Sequence, residues 1–444
     1  MEFQRVDKEY LLQSFRENRE MLDRRNDENI EKYRKGDFTL KLSGSNRKTV
    51  TVKQKKHKFL FGCTAFMLDS FEVPEKEPIY REKFAKLFNQ AVVPLYWSDL
   101  EPEEGQLRFS RDSVNIYRRP PVDTVLNFCN EYGIEPKGHC LLWNRFVPEW
   151  LAKYSTEERK KIVESHFSQI AAHYADKIPS FDVINESATN YHRGLAFLFE
   201  GYDEYALELG RKYFPNNIKI INETMGAIWY YYHTCGKYIP FNMQLKEFLA
   251  KGHAIDEIGL QFHMFGKLTD YVKGRMSDGR KFDAFLNAPE HIEILDLFDA
   301  YELPMHLSEI TLPSYAGNLP ENEAYQAELL REYYRIWFGT KNMKSIVWWN
   351  LVDGYAAYAP QGTFEGENQY GGGLLRYDMS EKPAYKMLDH LINEEWNTSF
   401  TREVCGDTLS FRGFFGEYEI TVEDENGKKT TTALLHTDKD TASV

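Results

Sequence analysis

Two glutamates at the ends of short apolar stretches are the residues of this chain whose types and spacing could support chemistry. The stretch at 181–186, FDVINE, alternates through β-branched residues and stops at Glu186. The stretch at 304–310, PMHLSEI, reaches Glu309 in the same way. A single glutamate at a strand end is usually a solvated charge, but two strands that each deliver one indicate a paired-carboxylate enzyme.

Two carboxyl groups that face each other across a cleft can cleave a glycosidic bond. One must be protonated to assist the leaving oxygen, and the other must be ionised to attack the anomeric carbon or to activate a water. Asn185, next to Glu186, is expected to hydrogen-bond a sugar hydroxyl. Glu223 also ends a strand after an asparagine, so it either competes for a role in the chemistry or supports a neighbouring side chain.

The composition narrows the classes of partner and compartment. A net charge of −13 disfavours a nucleic acid or an anionic membrane and favours a neutral ligand such as a carbohydrate or small glycoside. The five cysteines are widely spaced and include no CxxC, which argues for a reducing compartment. The start has no apolar signal region and no run of 18 apolar residues occurs, so we expect a cytoplasmic protein unless a leader was removed.

No metal or cofactor is expected. The twelve histidines include no HExxH pair, the helical spacing that brings two imidazoles onto one zinc ion. The chain also has no GxGxxG or GxxxxGK[ST] turn to cradle phosphates.

Eight short strand candidates alternate with helical segments between about residues 58 and 353. Strict β/α alternation implies a parallel sheet, and eight units in this length predict a closed (β/α)₈ (TIM) barrel. The alternative is an open doubly wound sheet, which usually carries the Gly-rich phosphate turn that is missing here. The strands are predicted at 59–66, 91–97, 135–143, 178–186, 217–222, 257–263, 304–310 and 345–353.

Additions of different character flank the predicted barrel. Residues 1–57 read as a helix and a β-hairpin that brace it, and residues 396–444 as a small β-appendage with a hairpin turn at Asn426-Gly427 and a disordered last seven residues. The barrel itself is assigned to 58–395. The Gly-rich loop at 357–373 is expected to lie over the cleft.

In such a barrel the functional groups sit at the carboxyl ends of the strands. His263 at the end of the sixth strand is placed to hold Glu309 ionised and oriented. Trp349 could give a sugar ring a flat platform, and its neighbour Trp348 should point to the opposite face. His139 reads as a structural or sugar-contacting residue.

At this point the motifs resemble glycoside hydrolase family 10, the retaining β-xylanases, over about residues 30–395. The resemblance implies Glu186 as general acid/base and Glu309 as nucleophile. It also implies retention of anomeric configuration. The matching stretches are DLEPEEG (99–105), GHCLLW (138–143), FDVINE (181–186), GLQFH (259–263), HLSEI (306–310), WNLVD (349–353) and KPAY (382–385).

The chain departs from the family pattern around the sugar on the non-reducing side of the cut. An Asn-Glu and a Lys before the second-strand Trp are replaced, and so are a His and a Gln after the third strand. A second Trp beyond the eighth strand is also lost near 357–358. The residues in the first two sets of positions are Val93, Pro94, Tyr96, Asn144 and Phe146.

The expected function is therefore a xylanase-like retaining β-glycosidase with an altered glycone-binding shell, acting on short or unusual glycosides. The alternative is a barrel that binds carbohydrate and has lost catalysis, and a third possibility is a related glycosidase with a different glycoside. The candidate substrate-binding residues are Tyr96, Trp97, His139, Trp143, Asn144, Asn185, Gln261, His263 and Trp349.

Overall fold

A computed structural model describes residues 5–44, 46–272, 283–425 and 427–444 of the chain. Eight parallel strands close into a barrel in the order β10-β3-β4-β5-β6-β7-β8-β9, so the predicted (β/α)₈ fold is confirmed. The strands within these ranges are β1 (Lys35–Lys41), β2 (Arg47–His57), β3 (Leu60–Thr64), β4 (Gln90–Pro94), β5 (Glu135–Trp143), β6 (Ser180–Asn185), β7 (Ile218–Glu223), β8 (Glu257–His263), β9 (Met305–Thr311), β10 (Met343–Trp348), β11 (Ser399–Cys405), β12 (Thr408–Phe414), β13 (Gly416–Asp424), β14 (Gly427–Leu435) and β15 (Thr441–Ser443).

Helices follow the barrel strands and cover the outside of the sheet. Within the described residues they are α1 (Lys8–Leu11), α2 (Gln13–Glu17), α3 (Arg19–Arg34), α4 (Lys76–Leu87), α5 (Trp97–Leu100), α6 (Val122–Tyr132), α7 (Thr156–Tyr174), α8 (Ser187–Leu195), α9 (Tyr202–Tyr213), α10 (Met225–Ile228), α11 (Tyr232–Cys235), α12 (Pro240–Ala250), α13 (Leu268–Val272), α14 (Asp283–Leu286), α15 (Ala288–Asp299), α16 (Pro320–Phe338) and α17 (Pro383–His390).

The local sequence explains where these elements begin and why the strands are central. Helix α7 starts at a capping box in which Ser155 and Glu158 satisfy each other's free backbone N–H groups. Strands β6, β8 and β9 are buried at every residue. A parallel strand covered by helices outside and by side chains inside has no solvated face, which is why these segments read as apolar runs.

The flanking additions pair with each other, so the predicted N-terminal hairpin is wrong. Strand β1 lies between β12 and β15, whereas β2 lies between β11 and β13 in a different sheet. The alternation of apolar residues identified both strands, but it carries no information about which strand lies alongside. The C-terminal strands supply the hydrogen-bond partners.

The chain's last residues are also ordered, contrary to the prediction. Thr39–Lys41 of β1 pair in parallel with Thr441–Ser443, and Val444 is buried. The predicted hairpin of β13 and β14 forms, with Asp424 opposite Gly427. Asn426 of the predicted turn lies outside the described residues.

Strands β1, β2 and β11–β15 enclose an apolar cluster of their own, separate from the barrel core. Phe38 is at its centre and packs edge-on against Phe411, Phe415 and Tyr418 at centroid distances of 5.4, 6.0 and 6.1 Å. We propose that these seven strands act as one accessory unit. The predicted boundaries at residues 57 and 395 stay a prediction.

Phe38→Ala is expected to lower the free energy of unfolding by about 3–5 kcal/mol, because it empties a ring-sized space in the accessory core. Urea denaturation followed by circular dichroism measures the change. Val114→Ala is the control, since Val114 is 78% exposed and its truncation should cost less than about 0.5 kcal/mol. Equal effects for the two variants would contradict the assignment of Phe38 to a core.

Candidate active site

A cavity of about 270 Å³ opens at the carboxyl ends of the barrel strands. Both predicted glutamates line it, together with an arginine-rich and aromatic wall. The Gly-rich loop contributes three of the lining residues, as expected for a loop over the cleft. The lining residues are Tyr96, Arg118, Arg119, Trp143, Arg145, Phe146, Glu186, Thr224, Met225, Gln261, His263, Phe265, Glu309, Trp349, Ala357, Tyr358 and Glu367.

Glu186 sits at the turn from β6 into α8 and is buried. Its backbone is left-handed, with φ of 53°, a conformation that non-glycine residues adopt rarely and often at functional sites. Gln261 Nε2 donates to its Oε1 at 3.1 Å. Burial, and next the negative charge of Glu309, raise the pKa of Glu186 to about 7. The carboxyl group can therefore hold a proton at neutral pH, as a general acid must.

Glu309 is held by donors on both oxygens. Asn222 Nδ2 donates to Oε1 at 2.9 Å, and His263 Nε2 lies 3.2 Å from Oε2. His263 Nδ1 is 2.9 Å from the hydroxyl of Thr311. A neutral imidazole with its proton on Nε2 satisfies both contacts, because it donates to Glu309 and accepts from Thr311. This arrangement favours an ionised, fixed carboxylate.

Asn222 links the two glutamates' strands. The same Nδ2 also donates to Asn185 Oδ1 at 2.8 Å, and its Oδ1 accepts from the hydroxyl of Ser308. Asn185 Nδ2 is buried and has no hydrogen-bond partner among the described residues. Asn185 is not part of the cavity lining, so its contact with a sugar hydroxyl stays a prediction.

His139 lies behind the cavity in a charged network. Asp182 Oδ2 accepts from Lys137 Nζ and from His139 Nδ1, each at 2.7 Å. Burial alone would raise the pKa of Asp182, but Lys137 and His139 outweigh it and hold the pKa below its ordinary value. His139 Nε2 is 3.6 Å from Oε1 of Glu309, too long for a hydrogen bond. These contacts give Asp182 a structural role.

Aromatic rings form one wall of the cavity. Tyr96 packs on Phe146 at 4.5 Å and lies 5.7 Å from Trp143. Trp349 lines the cavity, whereas Trp348 is buried and donates its indole N–H to the carbonyl of Gly372 at 2.9 Å. The expectation that only one of the two neighbouring tryptophans faces the cleft therefore agrees with the structure.

Besides His139 and Asn185, two further predicted substrate-binding residues lie outside the cavity lining, Trp97 and Asn144. Trp97 stacks on His166 at 4.2 Å and donates to Glu101 at 2.9 Å, because it opens helix α5 and faces α7. Asn144 Nδ2 donates to the carbonyl of Asn190 at 3.0 Å and to the hydroxyl of Tyr202 at 2.9 Å. We therefore withdraw both as substrate contacts, since their side chains point into the helical layer.

Glu223 is buried beneath Glu186 and outside the cavity lining. Its Oε1 accepts from the backbone N–H of Ala188 at 2.5 Å, in the first turn of the helix that Glu186 begins. Burial raises the pKa of Glu223 to about 8. The sequence left open whether Glu223 takes part in the chemistry or supports a neighbouring side chain. This placement favours the second role, in which Glu223 stabilises the turn at Glu186.

Four charged lining residues were not among the sequence-based candidates: Arg118, Arg119, Arg145 and Glu367. They come from the segment after β4, the turn after β5 and the loop after β10. The consecutive arginines before Pro120-Pro121 were the available signal. Their segment has no strand end to place it at the cleft, so the β/α pattern could not assign them.

Comparison with known proteins agrees with this arrangement. The model of glycosyl hydrolase family 10 matches residues 53–390, about three quarters of the chain. The chain belongs to glycosyl hydrolase family 10. It is accordingly a glycosidase, and the resemblance that the motifs indicated is confirmed.

The family relatives are distant. Endo-1,4-beta-xylanase B of Thermotoga neapolitana is 25% identical over 308 residues, which cover 67% of this chain and 78% of the relative. Anti-sigma-I factor RsgI6 of Acetivibrio thermocellus is 23% identical, covering 89% of this chain but 46% of the relative. Native xylanase 10B of Thermotoga maritima shares the fold, with a TM-score of 0.58, 21% identity, and coverage of 76% of this chain and 96% of that one.

Among the described residues, no helix is long and apolar enough to span a membrane. No group of three or more His, Cys, Asp or Glu side chains in the same ranges is arranged to hold a metal ion.

The pKa of Glu186 should set the basic limit of activity. Because a general acid works only when protonated, kcat/KM for glycosides with poor leaving groups should fall as pH rises through about 7. In Glu309→Gln the pKa of Glu186 should decrease, since a neighbouring negative charge is lost. Titration of ¹³C-labelled glutamate carboxyls by NMR in wild type and Glu309→Gln measures both values. An unshifted Glu186 in wild type would contradict the burial argument.

Gly259→Ala should displace Asn222, because an added Cβ would lie 2.5 Å from Asn222 Oδ1. Loss of the donor to Glu309 is expected to lower kcat/KM by about tenfold or more, the effect of one hydrogen bond to a charged group. Gly226→Ala is the control, since its Cβ would meet nothing closer than 3.9 Å. Equal kcat/KM values in the two variants would contradict the role given to the contact between Asn222 and Glu309.

Proposed function

We propose that this chain is a retaining β-glycoside hydrolase that uses Glu186 as general acid/base and Glu309 as nucleophile. The observation that carries the proposal is that the surroundings of the two carboxyl groups favour different protonation states. Burial and a like charge favour a proton on Glu186. Donors from Asn222 and His263 favour an ionised Glu309. Unequal protonation of two carboxyl groups in one cavity is what double displacement requires.

The first step would form a glycosyl ester on Glu309. A carboxylate oxygen of Glu309 attacks the anomeric carbon while the bond to the leaving oxygen breaks, and the proton of Glu186 passes to that oxygen. In the second step Glu186 removes a proton from water, the water oxygen attacks the anomeric carbon, and the ester bond to Glu309 breaks. Both glutamates return to their starting states, and the configuration is retained.

We further propose that the substrate is a short or unusual glycoside. The cavity is about 270 Å³, near the lower end of ligand pockets, which span roughly 300–1,000 Å³. Val93 and Pro94 replace polar groups that grip the glycone in the family pattern, and Tyr96 packs on Phe146 in the same region. Loss of buried hydroxyl-binding groups changes the discrimination between sugars by several kcal/mol.

Hydrolysis of a panel of aryl β-glycosides by wild type and Glu309→Ala tests the assignment. The panel is xyloside, glucoside, galactoside, fucoside, arabinoside, glucuronide and xylobioside. Wild type should cleave at least one member, and Glu309→Ala should lose activity by on the order of 10⁴-fold. Azide should restore turnover in Glu309→Ala as an α-glycosyl azide, because the small nucleophile fits the vacated space. Glu365→Ala, an exposed loop glutamate, should match wild type.

Glu186→Gln separates the enzyme from a barrel that only binds sugar. Its activity on poor leaving groups should fall by about 10²–10⁴-fold, with a smaller loss on 2,4-dinitrophenyl glycosides, which leave without protonation. Proton NMR of the first product should show the β-anomer. Sugar binding without hydrolysis of any panel member, or an α-anomer as first product, would overturn the proposal.

A further inference from the structure

Three arginine side chains line the cavity of a chain whose net charge is −13. Arg118 is 4% exposed, and a guanidinium group stays charged at any pH of interest. No described carboxylate lies within 4.0 Å of Arg118, the limit for an ion pair. A buried cation without an ion-pair partner is costly, and Glu367 offsets part of the charge of Arg118 from beyond that distance.

The donor groups of Arg118 are only partly used. One terminal nitrogen, Nη1, donates to Asn350 Oδ1 at 2.7 Å and to the carbonyl of Tyr355. Its Nε is buried without an acceptor in the described part of the chain, and Nη2 likewise donates to none of those residues. Burial and next the charge of Arg119 lower the pKa of Arg118. An anion beside the guanidinium would offset both effects by favouring the charged form.

The backbone holds Arg118 in an unfavourable conformation. Its φ is 61°, in the left-handed region that is unfavourable for a residue with a side chain. Arg119 follows in a fixed position, with Nε donating to Asp99 at 2.8 Å and the guanidinium 4.0 Å from the centre of the Tyr96 ring. Two consecutive arginines are thus presented to one cavity by a strained turn.

A line of contacts places these arginines on the side of the nucleophile. The Tyr96 ring lies under Arg119 and 5.3 Å from the His139 ring, and His139 Nε2 is 3.6 Å from Glu309. The sugar attacked by Glu309 is the glycone, so the arginines border the glycone side. Arg145 lies instead beside the rings of Trp143 and Tyr358. Its positive charge offsets part of the rise in the pKa of Glu186 that burial and Glu309 cause.

Glu367 supplies a complementary group on the same wall. Its Oε2 is buried without a hydrogen-bond donor in the described ranges. The Glu367 carboxyl group also interacts electrostatically with Arg118 and Glu309. A ligand that fits must therefore present a donor to Glu367 and an acceptor to the arginines. A sugar acid does both, because a hydroxyl lies next to a carboxylate.

We propose that the glycone side of this cavity binds an acidic sugar, with the carboxylate held by Arg118 and Arg119. The inference rests on the proposed function for the direction of the substrate, and it names the substrate class of that same site. Guanidinium groups bind carboxylates through paired, charge-assisted hydrogen bonds. The acidity of the whole chain disfavours a polyanion, whereas one carboxylate per ligand matches one pair of arginines.

Two matched ligand pairs test the inference by isothermal titration calorimetry on Glu309→Gln, which prevents turnover. The first pair is 4-nitrophenyl β-D-glucuronide and β-D-glucoside, which differ only in the carboxylate. The second is a xylotriose carrying a glucuronic acid branch and the same xylotriose without it. The acidic member of at least one pair should bind about tenfold or more tightly, and added salt should reduce that ratio.

Arginine variants on this background identify the residues responsible. Arg118→Gln and Arg119→Gln should each lower the acid-to-neutral ratio of affinities by roughly 10- to 100-fold, the effect of losing charge-assisted hydrogen bonds. Arg111→Gln is the control, because Arg111 is an exposed arginine of the same segment. Thermal melts confirm that each variant folds, and Arg119→Gln provides the test if Arg118→Gln does not.

The results separate this inference from the proposed function. Equal or weaker binding of the acidic member in both pairs would overturn the inference, as would an unchanged ratio in both arginine variants. Failure of wild type to hydrolyse any panel glycoside would instead count against the proposed function. The binding ratio is measured without turnover and decides the acidic-sugar inference either way.

Discussion

The amide of Asn222 is the contact on which the geometry of the site depends. It stands at the end of β7 and donates to Asn185 on β6 and to Glu309 on β9. The side chains of three strand ends are thereby fixed relative to each other, and Gly259 on β8 leaves the space that Asn222 occupies. A buried amide is costly to leave unpaired, so a displacement of Asn222 would weaken its contacts with Asn185 and Glu309 at the same time.

The two glutamates are both buried but have different surroundings. Glu186 and Glu309 line the same cavity, where two like charges repel more strongly than in water. Donors gather around Glu309, whereas Glu186 receives one hydrogen bond at 3.1 Å from Gln261 and a longer contact of 3.5 Å from Asn190. Burial and the charge of Glu309 favour a proton on Glu186, and the proposed function assigns the roles of acid and anion to this pair on that basis.

The cavity wall that we propose faces the glycone carries different side chains from those that surround Glu309. Aromatic rings and arginines occupy it, and the Arg119 guanidinium lies over the Tyr96 ring and donates to Asp99. Arg118 has a left-handed backbone, and Glu367 offsets its charge only in part. Under the proposed function, a family scaffold keeps its reacting pair and changes the surface that selects the sugar, which is the usual way in which one fold serves several substrates.

The sequence by itself determined the barrel, because eight buried strands alternating with helices leave few other arrangements. It also determined the positions of Glu186 and Glu309 at strand ends, since the end of a strand is visible in the pattern. Tertiary structure alone decided the partners of β1 and β2, because an apolar alternation specifies a strand's faces and not its neighbour. It alone brought Arg118 and Glu367 into the cavity and turned Trp97 and Asn144 away from it. These side chains belong to loops or strand-to-helix turns, whose course is set by packing against distant segments and leaves no periodic trace in the sequence.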